Sequence, residues 1–335
     1  MNELISYSGL YPEMTYEIVL YFSQTEIKDN RMVHKKVLDF CSHYKKKYET
    51  KEFPQPRVVA KICDVLCETQ QMSVIHRGGI DNIDNSYHCI LRNKDVDENP
   101  YLKSYFKKKL NYVVYGFKYI YEDFKKYVLP IEYTDSKNDI SLGTGFLYAN
   151  GFITAKHCIE GAKKIAINGI KSEDLRNAKF KIPENNLLDI LYIRFENQVQ
   201  DTLMFSEEAN ILDEVMTLGY PRIPGYHSFL TAENATVASR YTTSVGQIVS
   251  NAEDIWIKER LFLITAKIKG GNSGGPVISK NGSIVGVSVN LSQGEGDYDN
   301  LGYGTVIPVK FVDELLATDT NNYLDTTKIE FINFE

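Results

Sequence analysis

Lys267-Ile268-Lys269-Gly270-Gly271-Asn272-Ser273-Gly274-Gly275-Pro276-Val277 is the stretch that decides the reading of this chain. Four glycines crowd one serine between two apolar runs. Such a backbone bends sharply enough to expose a hydroxyl and to aim amide N–H groups at a single point. A serine hydroxyl is a weak nucleophile, so the rest of the chain must supply a base.

A candidate base stands upstream. Gly143-Thr144-Gly145-Phe146-Leu147 and Phe152-Ile153-Thr154 are short β-rich runs around Asn150-Gly151, a dipeptide that favours positive φ and predicts a hairpin turn there. The second run continues into Ala155-Lys156-His157-Cys158, which places His157 at a strand end. Between His157 and Ser273, Asp189 is a lone carboxylate in Leu187-Leu188-Asp189-Ile190-Leu191-Tyr192-Ile193. A charge in an apolar run needs a hydrogen-bond partner, and an imidazole Nδ1–H is one that an orienting aspartate accepts.

In this order the motifs resemble those of trypsin/chymotrypsin-fold serine proteases, most of all the bacterial HtrA (Deg) type. Thr154-Ala155-Lys156-His157-Cys158 matches the histidine motif, Asp189-Ile190-Leu191-Tyr192-Ile193 loosely matches the aspartate motif, and Gly271 to Pro276 matches the serine motif in full. His157 and Asp189 are 32 positions apart, and Asp189 and Ser273 are 84 apart. Val245–Ser250 and Tyr303–Pro308 resemble two further strands of the family, and the likeness spans about residues 138–312.

The resemblance implies a fold and a set of roles. Ser273 Oγ attacks the scissile carbonyl, His157 takes and returns the proton, and Asp189 fixes the imidazole tautomer. The N–H groups of Gly271 and Ser273 form the oxyanion hole, where each donor contributes roughly 3–4 kcal/mol in related enzymes. Ile268, Ser288, Val289 and Asn290 line the expected substrate pocket. Lys267 stands where trypsin-type enzymes place an acid, which disfavours cleavage after Arg or Lys and favours small or medium apolar residues; the acidic loop Glu295–Asp299 leaves the point open. No Ile-Val-Gly-Gly-like activation segment precedes Gly143, so regulation by loop ordering is expected. No PDZ module is expected after Phe311–Leu316.

Taken singly, each motif has a plainer reading, as a loop, a structural histidine or a strand-end aspartate. Their shared order and spacing make the joint reading the stronger one. Three function classes follow: a serine endopeptidase, a catalytically silent protease fold used for binding, and a DNA-binding regulator with an attached protease.

The resemblance leaves residues before about 135 unexplained. Val33–Cys41 opens one amphipathic helix, Arg57–Gln70 forms another, and Ser73–His76 with Tyr87–Leu91 reads as a hairpin across Gly78-Gly79. Helix, helix, hairpin is the order of a winged-helix module. Tyr101–Lys126 follows as a long helix, with Gly116 as a modest interruption. The expected architecture is α+β and multidomain: residues 1–130 a mostly helical, winged-helix-like regulatory or docking domain, and residues 131–335 an all-β double six-stranded barrel.

Composition bounds partners and setting. The chain has 335 residues, 43% hydrophobic and 24% charged, with net charge −6. Acidic and basic side chains nearly balance through residue 135, so Lys45–Lys47 and Lys107–Lys109 read as solvated helix faces rather than a nucleic-acid surface. A protein or peptide substrate, and a regulatory partner or self-association through the N-terminal domain, are the expected partners; no membrane segment is expected. Cys63, Cys67, His88 and Cys89 lack the spacing of a zinc site, so no metal or cofactor is expected. Five cysteines without an evident pairing pattern, and Met1–Leu4 without a basic leader, point to a reducing, cytoplasmic setting.

Overall fold

The computed structural model describes residues 2–24, 26–28, 31–89, 99–197, 201–221, 229–232, 235–238, 240–289, 303–317 and 322–334. The chain divides into two compact units, Met1–Ile120 and Tyr121–Glu335.

The first unit opens with helices α1 (Asn2–Leu10) and α2 (Met14–Ser23) and a small hairpin of β1 (Glu26–Lys28) and β2 (Arg31–Val33). Sequence reading missed all four. The elements it expected next are present: α3 (Val37–Tyr48), α4 (Pro56–Glu68) and a hairpin of β3 (Met72–His76) and β4 (Ser86–Cys89). Pro56 at the first turn of α4 costs nothing, because that N–H has no intrahelical partner. Phe22, Phe40, Tyr44 and Tyr87 meet in the core, with Phe22 and Tyr87 ring centroids 5.7 Å apart. The first unit thus holds more than a helix–helix–hairpin module, and that order alone does not establish a winged helix.

Helix α5 (Pro100–Phe124) is broken at Gly116, which adopts φ 67° and ψ −162°. The interruption is a break into two helical segments, since that conformation suits glycine alone. Tyr112 and Tyr115 of this helix are buried. Lysines of both expected solvated runs make ion pairs: Lys47 meets the buried Glu17 at 2.8 Å, and Lys107 pairs with Glu13.

The second unit holds two β structures. β5 (Val128–Thr134), β6 (Ile140–Tyr148), β7 (Gly151–Thr154), β8 (Lys164–Ile167), β9 (Lys179–Lys181) and β10 (Leu191–Arg194) build the first, with short helix α6 (Ser172–Arg176) after β8. β11 (Glu214–Gly219) begins the second. A separate hairpin, β12 (Phe229–Ala232) with β13 (Ala235–Ala238), precedes β14 (Thr242–Glu253), β15 (Arg260–Ile264), β16 (Pro276–Ser279), β17 (Ile284–Val289) and β18 (Gly304–Pro308). Helix α7 (Val309–Ala317) and β19 (Glu330–Phe331) complete it.

Six of these strands close a barrel in the order β11-β14-β15-β18-β17-β16. Its core is aliphatic, with Val215, Ile248, Ile264, Val277 and Val306 fully covered. The first structure departs from the expected six-stranded barrel. It is a seven-stranded sheet, β19-β8-β5-β6-β7-β10-β9, whose extra strand comes from the chain's last residues. That tail reaches both edges: Leu324 N donates to Phe180 O of β9 at 2.8 Å, and β19 pairs in parallel with β8. Phe331 stacks on Phe180 at 5.4 Å. Edge strands present unpaired backbone groups, and here one segment satisfies groups at both edges.

The β6–β7 turn also falls one residue early. Ala149 and Asn150 carry φ of 47° and 62°, and Tyr148 pairs with Gly151. Two consecutive positive φ values make a type I′ turn centred on Ala149-Asn150. Gly151 instead lies beneath the Tyr192 ring, where an added Cβ would sit 2.4 Å from Cε2.

Candidate active site

The serine loop is built from two consecutive turns. Asn272 N donates to Lys269 O, and Gly275 N donates to Asn272 O, both at 2.9 Å. The third residues of these turns, Gly271 and Gly274, have φ of 100° and 86°. An i to i+3 bond with positive φ only at the third position is a type II turn, which calls for glycine there. Ser273 therefore occupies the second position of a tight turn. Among the described residues, the N–H groups of Gly271 and Ser273 have no protein acceptor, whereas Gly274 N donates to Ser288 O at 2.7 Å.

Two hydroxyls hold this loop. Thr144 is fully buried on β6; its N–H donates to Ser273 O at 2.9 Å, and its hydroxyl donates to Gly271 O at 2.6 Å. The same hydroxyl accepts from Tyr220 N at 3.0 Å. From the other side, fully buried Ser288 donates to Asn272 O at 2.7 Å. Ser288 supports the loop from beneath, a different role from the pocket lining expected of it. Val289 is likewise buried and pairs with Thr305, while Ile268 is partly buried against the barrel core. Asn290 and the Glu295–Asp299 loop lie outside the described residues.

His157 stands in a single 3₁₀ turn, Lys156–Cys158, at the end of β7. Asp189 precedes β10, which pairs with β7, so sheet register brings the two together. Asp189 Oδ1 accepts the His157 backbone N–H at 2.8 Å, and Oδ2 lies 2.6 Å from Nδ1. A carboxylate only accepts, so Nδ1 carries the proton and neutral His157 keeps its lone pair on Nε2. Burial opposes the charged imidazole, but the Asp189 hydrogen bond, with Cys158 as a second contact, lifts the pKa above its ordinary 6.5.

Ser273 is brought beside this turn through Cys158, whose thiol lies 3.9 Å from the Ser273 carbonyl. Gly274 makes the approach possible: a Cβ there would fall 2.2 Å from Thr144 O and 2.5 Å from Ala155 N. The structure records no hydrogen bond between Ser273 and His157 among the described residues. Such bonds often tighten only with substrate bound. The arrangement offers a base with a fixed tautomer, a hydroxyl on a rigid turn and two free amide donors.

Residues 143–287 match the family model of the trypsin-like peptidase domain. The chain is similar to trypsin-like peptidases over a little under half of its length. Its relatives are HtrA-type proteases. Over 198 residues the chain is 25% identical to the magnetosome formation protease MamE of Magnetospirillum gryphiswaldense, covering 57% of this chain and 24% of that protein. It is 24% identical to a probable periplasmic DegP-like serine endoprotease of Chlamydia trachomatis, covering 57% of this chain and 37% of the relative. The chain thus spans well under half the length of these relatives. Among solved structures it is similar to the active form of the Rv3671c protease from M. tuberculosis, with TM-score 0.46 and 20% identity, covering 62% of this chain and 87% of that one. The trypsin-like domain encloses Thr144, His157, Asp189 and Ser273, while Ser288 lies one residue beyond it.

Proposed function

We propose that the chain is a serine endopeptidase in which Ser273, His157 and Asp189 form the triad and the N–H groups of Gly271 and Ser273 bind the oxyanion. The carrying observation is the doubly bonded His157–Asp189 pair at 2.6 and 2.8 Å, with Ser273 fixed in a type II turn and its carbonyl met by Cys158, the neighbour of His157. In this mechanism His157 Nε2 takes the Ser273 proton as Oγ attacks, and returns it to the leaving amine; water then releases the acyl group by the same route. Protein or peptide chains are the substrates. Incubating an unfolded protein with the wild type should produce new N-termini, and the Ser273→Ala variant should produce none. New N-termini from both proteins would reject this reading.

The first unit is the natural candidate for a regulatory or docking element, because Met1–Ile120 is a compact unit with its own core. A core substitution there, Phe40→Ala, tests the point. Regulation predicts a changed cleavage rate while the second unit's melting stays put; an unchanged rate contradicts it. A reducing compartment is supported by five free cysteines and by the Cys158 thiol facing Gly143, which has no side chain to bond. The relatives named periplasmic speak for the opposite setting in their own cases. Alkylation of all five thiols in protein taken directly from cells would support the proposal, and a protected subset would oppose it.

A further inference from the structure

Lys156 is a buried cation that the triad does not use. It immediately precedes His157 and is only 9% exposed. An ammonium taken out of water is costly unless it is paired and hydrogen-bonded. Its Nζ donates to the backbone carbonyl of Asn186 at 2.6 Å, and the side chain of Glu160, itself half exposed, lies 3.5 Å away. The short contact is therefore to the loop that carries Asp189.

That loop is a defined turn. Leu188 N donates to Asn185 O at 3.0 Å, and Leu187 N to Asn185 Oδ1 at 3.1 Å. Asn186 thus sits at a turn centre, where its carbonyl is not used by the turn itself. Three residues on, Asp189 accepts both the backbone N–H and the Nδ1–H of His157. Two adjacent residues, Lys156 and His157, therefore grip segment 186–189 at both ends.

We propose that Lys156 is a positioning residue, which clamps the Asp189 loop to the His157 turn through the Asn186 carbonyl. This rests on the triad reading above. The β7–β10 pairing brings the strand ends together, and the Lys156 bond fixes the segment just before Asp189, which that pairing does not reach. The groups facing the imidazole are Asp189 from its loop and Cys158 beside it; Lys156 and Glu160 flank it in the chain. A misplacement of about 1 Å can cost on the order of a hundredfold in rate.

The test uses the full chain and two readouts. One is the strongly deshielded proton of the His157 Nδ1–H···Asp189 bond in low-field ¹H NMR, assigned by its loss in His157→Ala. The other is labelling by a fluorophosphonate, resolved into the maximal rate and the probe concentration for half that rate. Lys156→Met should lose or shift the resonance and lower the maximal rate by about tenfold or more, with the half-saturating concentration little changed. Lys156→Arg, which still reaches the carbonyl, should restore both. If Lys156→Met does not fold, Lys156→Gln, one bond too short for the contact, replaces it with the same expectation. Retention of the resonance and of the wild-type rate in the neutral variant would overturn the clamp, as would failure of Lys156→Arg to restore either. A resonance that depends on Lys156 in a chain that never labels would leave the clamp standing and reject the peptidase reading.

Discussion

The N–H of Thr144 donates to the carbonyl of Ser273 at 2.9 Å, across 129 residues of chain. The strand that pairs with the histidine strand thus holds the serine directly. The Thr144 hydroxyl strengthens the same junction through Gly271 O and Tyr220 N. Replacing it by a methyl takes the donor from the buried Gly271 carbonyl and removes the acceptor of the Tyr220 N–H, and a buried polar group left unsatisfied costs about 1–3 kcal/mol. Thr144→Val should therefore lower the unfolding free energy by about that amount and slow labelling of Ser273; Thr144→Ser, which keeps the hydroxyl, should do so less. Chemical denaturation with parallel labelling checks both.

Gly274 cannot accept a side chain. Its φ of 86° disfavours any other residue, and a Cβ would meet Thr144 O at 2.2 Å and Thr154 Oγ1 at 2.4 Å. Those are close-packed atoms with nowhere to yield. Gly274→Ala should destabilise the second unit by about 1–3 kcal/mol from the backbone conformation alone and abolish labelling. A variant with wild-type melting and labelling would show that the loop can adopt another shape.

How far the sequence led depends on the range of each interaction. Ser273, His157 and Asp189 stand in short contiguous motifs, so residue types and order pointed to them before the structure placed two of them in direct contact. Thr144 and Ser288 act through hydroxyl bonds to backbone groups more than ten residues away, and such bonds leave no periodic trace. The glycines flanking Thr144 were its only local signal. Lys156 was visible as a residue of the histidine motif, but its partner is a backbone carbonyl, which every residue has. The tail strand Glu330–Phe331 has two residues, too few to show alternation. The turn at Ala149-Asn150 was misplaced because Gly151 is required by packing under Tyr192 rather than by its own φ.

The tail gives a stability prediction. Ile182 N donates to Asn322 O at 3.1 Å, Leu324 N to Phe180 O at 2.8 Å, Glu330 N to Lys163 O at 2.8 Å and Ile332 N to Ile165 O at 3.0 Å. Each bond contributes about 1 kcal/mol net, and buried Phe331 adds about 3–5 kcal/mol on truncation to Ala. Phe331→Ala should lower the melting temperature of the second unit measurably, and deletion of residues 322–335 should lower it further. No change on deletion would mean the tail merely lies on the sheet.

The raised pKa of His157 predicts two pH dependences. As a base it must be neutral, so the acidic limb of the labelling rate should lie above pH 6.5; Asp189→Asn should move it down. In stability the sign is opposite. A histidine whose folded pKa exceeds its unfolded value of 6.5 contributes fully below 6.5, and loses that contribution as pH rises through the folded value. The melting-temperature gap between wild type and Asp189→Asn should therefore narrow with rising pH. A gap that widens would contradict the Asp189–His157 coupling.

The central claim is that Ser273 is a nucleophile activated by His157, and covalent labelling by a fluorophosphonate, read by intact mass and peptide mapping of the full chain, tests it most directly. The account predicts one adduct on Ser273, absent in Ser273→Ala and slowed by several orders of magnitude in His157→Ala. An adduct on another residue, or none in the folded wild-type chain, would contradict it.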